Sequence, residues 1–250
     1  MAFDSQHWYA RDGSPAHYLG PNGTGTTLRE ARKHALVPSV TTVLSVLAKP
    51  ALDRWKVTQA ILAALTLPRV DGEPEADYLR RIDADGRQQA QEAARDGTAI
   101  HAAIEDGFAG SNVPYAHRPH YEAVHRLLAE HYPKVNDWVS EKRFAHPAGF
   151  GGCSDLHSPS TGVVVDFKGS AITSGSDKRL AYDQNEQLAA YQWGLGLPRS
   201  PCANIFLSRA EPGYAVFHEW DTAAIEHGLD VFQHALALWK LRRNYDGGWK

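Results

Sequence analysis

Gly152-Cys153-Ser154-Asp155-Leu156 leads into a Pro/Ser/Gly-rich turn at residues 158–162, and Val163-Val164-Val165-Asp166-Phe167-Lys168-Gly169 follows. Two β-segments around a tight turn make a hairpin, and the apolar run marks the second as a buried strand. Alternate side chains of a strand share a face, so Asp166 and Lys168 point the same way and Phe167 points into the core. A carboxylate and an ammonium presented together at the end of a buried strand are costly unless they have a task. The partner segment brings Asp155 alongside. Two carboxylates can hold a divalent cation, and a neighbouring lysine can handle a water molecule, which is equipment for hydrolysing a phosphodiester. An isolated Asp–Lys pair reads more readily as a structural ion pair, so its companions elsewhere in the chain decide.

The 250 residues suffice for one domain with a substantial core, or one core with a helical addition. Hydrophobic content of 43% and charged content of 22% are ordinary for a globular chain. No apolar run is long enough to span a membrane, and Met1-Ala2-Phe3-Asp4-Ser5-Gln6 lacks the layout of a signal peptide. Cys153 and Cys202 make neither a closely spaced ligand set nor a disulfide framework, which points to a reducing cytoplasm. A net charge of −3 argues against bulk coating by nucleic acid but allows a local basic groove.

Residues 1–37, rich in Gly, Thr and Arg with turn signals at Asp12-Gly13 and Pro21-Asn22-Gly23, predict a short hairpin or an irregular arm. Ser39 or Thr41 caps a helix through Leu47, a second helix runs over about residues 51–67, and helical character resumes near Glu75. Residues 88–108 carry an apolar helical stripe, and Pro119 opens a helix through Tyr132. Strands are expected at 138–145, 151–156, 163–168, 203–207 and 214–220, with helices at 183–195 and at the C-terminus.

Further polar signals lie within this frame. Gly97 and His101 sit one helical turn apart, so the glycine permits a close backbone or strand approach and His101 offers a neutral imidazole to the carboxylates. Glu141 can add an acidic group through a metal-bound water. Gln187 and Tyr191 share a helical face. Trp55, flanked by Lys49, Arg54 and Lys56, can stack a base, or equally pack with snorkelling cations. Lys178 and Arg179, in the Gly/Ser-rich loop after the second strand, are phosphate candidates. Taken singly, His101 reads as a core histidine, Glu105 as a solvated neighbour, and Gln187 and Tyr191 as helix surface. The histidines at 117, 120, 125 and 131 do not share one face and predict a solvated helix.

Gly97…His101, Glu141, Gly152…Asp155, Asp166-Phe167-Lys168 and Gln187…Tyr191 stand in the order seen in PD-(D/E)XK nucleases of the RecB type, and the chain resembles that superfamily over residues 97–191. That group includes the mitochondrial genome maintenance exonuclease and, more distantly, lambda exonuclease, and Pro38-Ser39-Val40-Thr41-Thr42-Val43-Leu44, with Lys49-Pro50 and Trp55-Lys56, also looks like phage-encoded exonucleases of this kind. The resemblance implies an α/β restriction-endonuclease-like core, with a central mixed β-sheet flanked by helices. Residues 96–250 would form that core, and residues 1–95 an N-terminal arm and helical region of the same compact unit.

It implies that His101, Asp155 and Asp166, with the Phe167 carbonyl, ligate one or two Mg²⁺ or Mn²⁺ ions. Asp155, Asp166, Glu141 and Lys168 would form the catalytic set, with Lys168 positioning or deprotonating the attacking water. Gln187, Tyr191, Lys178, Arg179, Gly97 and Trp55 would orient that lysine or meet DNA. Two cysteines exclude the four-cysteine iron–sulfur cluster of some relatives within one chain. The implied activity is a metal-dependent DNA exonuclease of recombination, repair or replication, in the cytoplasm of a host cell. A single-strand annealing or single-strand-binding protein is its implied partner, and no membrane is involved. A structure-specific endonuclease and a non-catalytic DNA-binding module on the same core are the alternatives.

Overall fold

The computed structural model describes residues 7–175 and 181–247, apart from the side chains at 51–52, 87 and 89–94. In chain order the elements are β1 (Trp8–Tyr9), α1 (Leu28–His34), β2 (Val37–Pro38), α2 (Val40–Leu44), α3 (Pro50–Thr66), α4 (Glu75–Phe108) and α5 (Arg118–His131). Then come β3 (Val139–His146), β4 (Phe150–His157), β5 (Val164–Ser170), α6 (Gln184–Gly194), β6 (Cys202–Ser208), β7 (Ala215–Trp220) and α7 (Thr222–Arg243). They form two units, Met1–Leu47 with His101–Lys250, and Ala48–Ile100.

The larger unit is built on a five-stranded sheet in the order β3-β4-β5-β6-β7. β5 and β6 run parallel and the other neighbours antiparallel, so the sheet is mixed, as the sequence predicts. A parallel pair needs a crossover, and α6 supplies it. That connection places a helix rich in small apolar residues (Leu188, Ala189, Ala190) directly over the sheet. β6 is buried along its whole length, the mark of a strand covered on both faces. α6, α7 and α2 enclose a core that includes Trp8, Phe150, Leu188, Phe232 and Trp239. Burying such side chains is worth roughly 1.5–3 kcal/mol each, so this cluster dominates the stability of the unit.

The N-terminal segment is more ordered than its turn-rich composition predicts. β1 pairs with β2, Trp8 opposite Pro38 and Tyr9 opposite Val37, and Tyr9 also bridges Pro15 across the Asp12-Gly13 turn, the short hairpin that the turn signals predict. Between them α1 is started by a capping box, in which Thr27 and Glu30 satisfy each other's backbone N–H groups. Ser39 caps α2 by accepting from the Thr42 N–H at 3.0 Å, but α2 stops at Leu44, short of Leu47. The two helical stretches expected near 75 and 88–108 are one continuous helix, α4, despite Gly86 and Gly97. The histidine-bearing α5 is only partly solvated. His120 is buried with Nε2 2.9 Å from the Ser208 carbonyl, and His131 stacks on Phe217 at 3.7 Å.

In the smaller unit, Tyr78 donates to the carbonyls of Ala64 and Leu67 at 3.0 and 3.2 Å. Arg81 grips both oxygens of Glu73 at 2.7 and 2.8 Å. Among the described residues no helix is long and apolar enough to cross a membrane.

Candidate active site

Asp155 and Asp166 meet where the sheet forks. β4 and β5 pair only at Leu156↔Val165 and His157↔Val164. Continued by one step, that register sets Asp155 across from Asp166, and there the ladder ends. Asp155 Oδ2 accepts the backbone N–H of Phe167 at 2.9 Å, so a side chain takes the place of a ladder carbonyl. Opposed like charges destabilise a strand pair, and burial aggravates the cost. The Asp155 carboxyl is accordingly pushed up to about 8, first by burial and then by the charge of Asp166, against the pull of Lys168 and the Phe167 N–H.

Asp166 is 2% exposed and heavily bonded. Lys168 Nζ lies 3.0 Å from its Oδ1 and 2.8 Å from its Oδ2. The ammonium also donates to Gln187 Oε1 at 3.1 Å, and Gln187 Nε2 donates to the Tyr191 hydroxyl at 2.7 Å. α6 thus delivers an amide whose orientation is fixed by a buried tyrosine one turn later. Burial alone would lower the Lys168 ammonium, but Asp166 and Asp155 more than offset it and hold the group above its usual range. Lys168 is an ammonium in this arrangement, suited to positioning a water or stabilising charge on a phosphate.

α4 brings His101, whose Nδ1 is 3.5 Å from Asp155 Oδ2 and whose ring meets Phe167 edge-on at 5.9 Å. Burial drives its pKa down, outweighing Asp166, so the imidazole is neutral and can donate a lone pair to a cation. Glu141 lines the same cleft as His101, Asp155 and Phe167. Its φ of 49° falls in the left-handed region, at the step of β3 that the flanking pairs Ser140↔Leu156 and Lys142↔Ser154 set opposite Asp155. A non-glycine residue held there costs about 1–3 kcal/mol and is a feature of functional sites. The Cys153 thiol donates to Glu141 Oε2 at 3.0 Å, and Arg143 stands 3.8 Å away.

Two members of this network escape the sequence reading. Asn204, fully buried on β6, donates to Asp166 Oδ2 at 2.8 Å and accepts from Trp220 Nε1 at 2.8 Å. A lone amide inside the apolar strand Ala203-Asn204-Ile205-Phe206-Leu207 is the available signal. Cys153 is the other, and nothing in its sequence context marks a bond to Glu141. Tyr191 is buried, which fits a role in orienting Gln187 rather than touching a ligand. Trp55 belongs to the smaller unit and is 41% exposed. A Cβ at Gly97 would meet nothing within 4 Å, so among the described residues no backbone makes the close approach that this glycine permits. Lys178 and Arg179 lie outside the described residues. Among the described residues no three His, Cys, Asp or Glu side chains gather as a preformed metal cage.

No protein-family model matches the chain, and no curated protein matches it significantly. Among solved structures, it is similar to the alkaline exonuclease LHK-Exo of Laribacter hongkongensis at 16% identity and a TM-score of 0.32, over 77% of this chain and 94% of that one. LHK-Exo in complex with dAMP is similar at 17% identity and a TM-score of 0.29, over 61% and 92%. The SSO0001 protein is similar at 13% identity and a TM-score of 0.27, over 72% and 85%. Likeness this slight bears no weight on function. The chemistry of the cleft must carry it.

Proposed function

We propose that this chain is a PD-(D/E)XK nuclease that hydrolyses phosphodiester bonds of DNA with a divalent cation, working from strand ends. The observation that carries the reading is the strand fork, where a buried and a half-buried aspartate are brought together with a lysine held against the buried one. The donor set fits a hard cation. It comprises two carboxylates, one of them kept protonated up to about 8 by burial and by the charge of the other, and a neutral imidazole 3.5 Å from it. Mg²⁺ binds through one or two carboxylates and keeps several waters, so a full protein cage is not required.

Asp155, Asp166 and His101, with the Phe167 carbonyl, would hold that ion, and Glu141 would reach it through water. A bound Mg²⁺ or Mn²⁺ would supply Lewis acidity and a water of lowered pKa. Lys168 would place its ammonium beside the attacked phosphate and stabilise the charge that develops there, held in register by Gln187 and Tyr191. Asn204 would keep the Asp166 carboxylate in one orientation.

End-labelled linear DNA, single- and double-stranded, incubated with Mg²⁺ or Mn²⁺ should give a ladder of short products from one end. Closed circular single strands should survive. Linearised circles would replace the end-directed reading with an endonuclease, and intact linear DNA under every condition would leave only a binding module.

A further inference from the structure

Phe108, the last residue of α4, faces two hollows. One is the cleft formed with His101, Glu141 and Asp155. The other is a cavity of about 450 Å³ lined also by Tyr121, His125, Tyr132, Asn136 and Trp138. Small-molecule pockets run from about 300 to 1,000 Å³, so the volume suits a nucleoside-sized group. The aromatic wall is built from α5 and the approach to β3. Tyr121 can lie flat along α4 because residue 107 is glycine, where a Cβ would come within 2.3 Å of the Tyr121 ring.

The ring pairs of the wall are not stacked on one another. Phe108 and Tyr121 meet at 5.7 Å and 73°, and Tyr132 and Trp138 at 6.0 Å and 62°. A ring that meets its neighbours only edge-on or tilted is not stacked, and a planar group can still add to it by offset stacking. The exposed His125 and Asn136 bring hydrogen-bonding groups suited to the edge of a base. Trp138 precedes Ser140 and Glu141 of the catalytic cleft by two and three residues, roughly 7–10 Å of extended chain. Successive nucleotides of a strand are stacked about 3.4 Å apart and spread further when unstacked. A phosphate at Asp155 and a base in the cavity therefore belong to nucleotides no more than about three apart on one strand.

We infer that the cavity is a base-binding subsite that takes one nucleobase of the DNA strand near the scissile phosphate, stacking it among Tyr121, Tyr132 and Trp138. The inference rests on the nuclease reading above and adds to it the group that sets the register of the strand.

The test is a scan in which a single abasic residue is stepped past the scissile bond, with the wild-type protein and Mg²⁺. Base–aromatic stacking predicts a loss of roughly 5- to 150-fold in cleavage efficiency at one position and little at the others. Tyr121→Leu and Trp138→Leu should lose a similar factor on intact DNA and then become indifferent to the abasic residue at that position. Two variants guard against one failing to fold, and the wild-type scan needs neither. Efficient cleavage of intact DNA with no position-specific abasic effect, or variants that keep the full abasic penalty, would overturn the subsite alone. Absence of any product from intact DNA would overturn the nuclease reading and the subsite with it.

Discussion

Asn204 and Asp166 occupy matching positions on the parallel strands β6 and β5, and the asparagine amide donates to the Asp166 carboxylate at 2.8 Å. The bond crosses the sheet just behind the fork, so a strand with no other part in the site joins Lys168 in orienting the Asp166 carboxylate. Trp220, from β7, fixes the asparagine in turn through its indole N–H.

Replacing Asn204 with alanine should therefore act twice. A buried carboxylate that loses a donor costs about 1–3 kcal/mol, which a denaturant melt would read. Loss of a group that orients a metal ligand typically costs about 10- to 100-fold in affinity or rate. A variant that is destabilised but cleaves DNA at the wild-type rate would remove Asn204 from the site.

Lys168→Ala should lower cleavage by about 100-fold or more while largely sparing DNA binding, because its ammonium acts on charge that develops during the reaction. Gln187→Ala should cost less, since Asp166 still holds the lysine by two contacts. Single-turnover rates and a filter-binding measurement separate the two effects. Equal losses in binding and rate for Lys168→Ala would make it a phosphate anchor only.

The hairpin was legible because three things agree in one segment: a turn rich in Pro, Ser and Gly, a run of three valines, and charges at the strand end. The strands and α6 followed from the same kind of local signal, and the mixed sheet from the resemblance. α1 was not legible, since its start depends on the Thr27–Glu30 capping box inside a segment whose composition signals turns. The pairing of β1 with β2 is equally silent, because two-residue strands have no period to detect. His120 was misread as solvated because its burial depends on the distant Ser208 carbonyl. Asn204 and Cys153 enter the site through register across strands, which spacing within a sequence does not encode.

Glu141 carries strain as well as charge. Glu141→Gly relieves the left-handed backbone at a φ of 49°. It should raise stability by about 1 kcal/mol or slightly less after the entropy cost of glycine, or about 2–4 °C in melting temperature for a protein of this size. Cleavage should fall at the same time. Glu141→Gln, which keeps the strain and the bond to the Cys153 thiol, separates the two effects. A Gly variant that loses stability would show the backbone to be unstrained.

The Asp155 carboxyl gives a pH signature. Its pKa is raised from 3.8 to about 8 in the folded chain freed of cations. Between those values the folded state binds more protons than the unfolded state, so this contribution to stability is complete below the lower value and is lost as pH rises through the higher. Denaturant melts in a chelator should show that loss towards alkaline pH, and Asp155→Asn should flatten it. Added Mg²⁺ should protect most at the alkaline end, where the carboxylate is free to bind it. A wild-type profile as flat as that of the variant would contradict the assignment.

The central claim is that Asp155, Asp166 and Lys168 act together at the strand fork to cut DNA with a divalent cation. Its most direct test is the initial rate of release of labelled nucleotides from linear DNA in Mg²⁺, compared between wild type and Asp166→Asn at matched folded fractions. The account predicts steady release by the wild type, loss of at least about 100-fold in the variant, and no release by either in excess chelator. Release by Asp166→Asn at the wild-type rate, or release that survives the chelator, would contradict it.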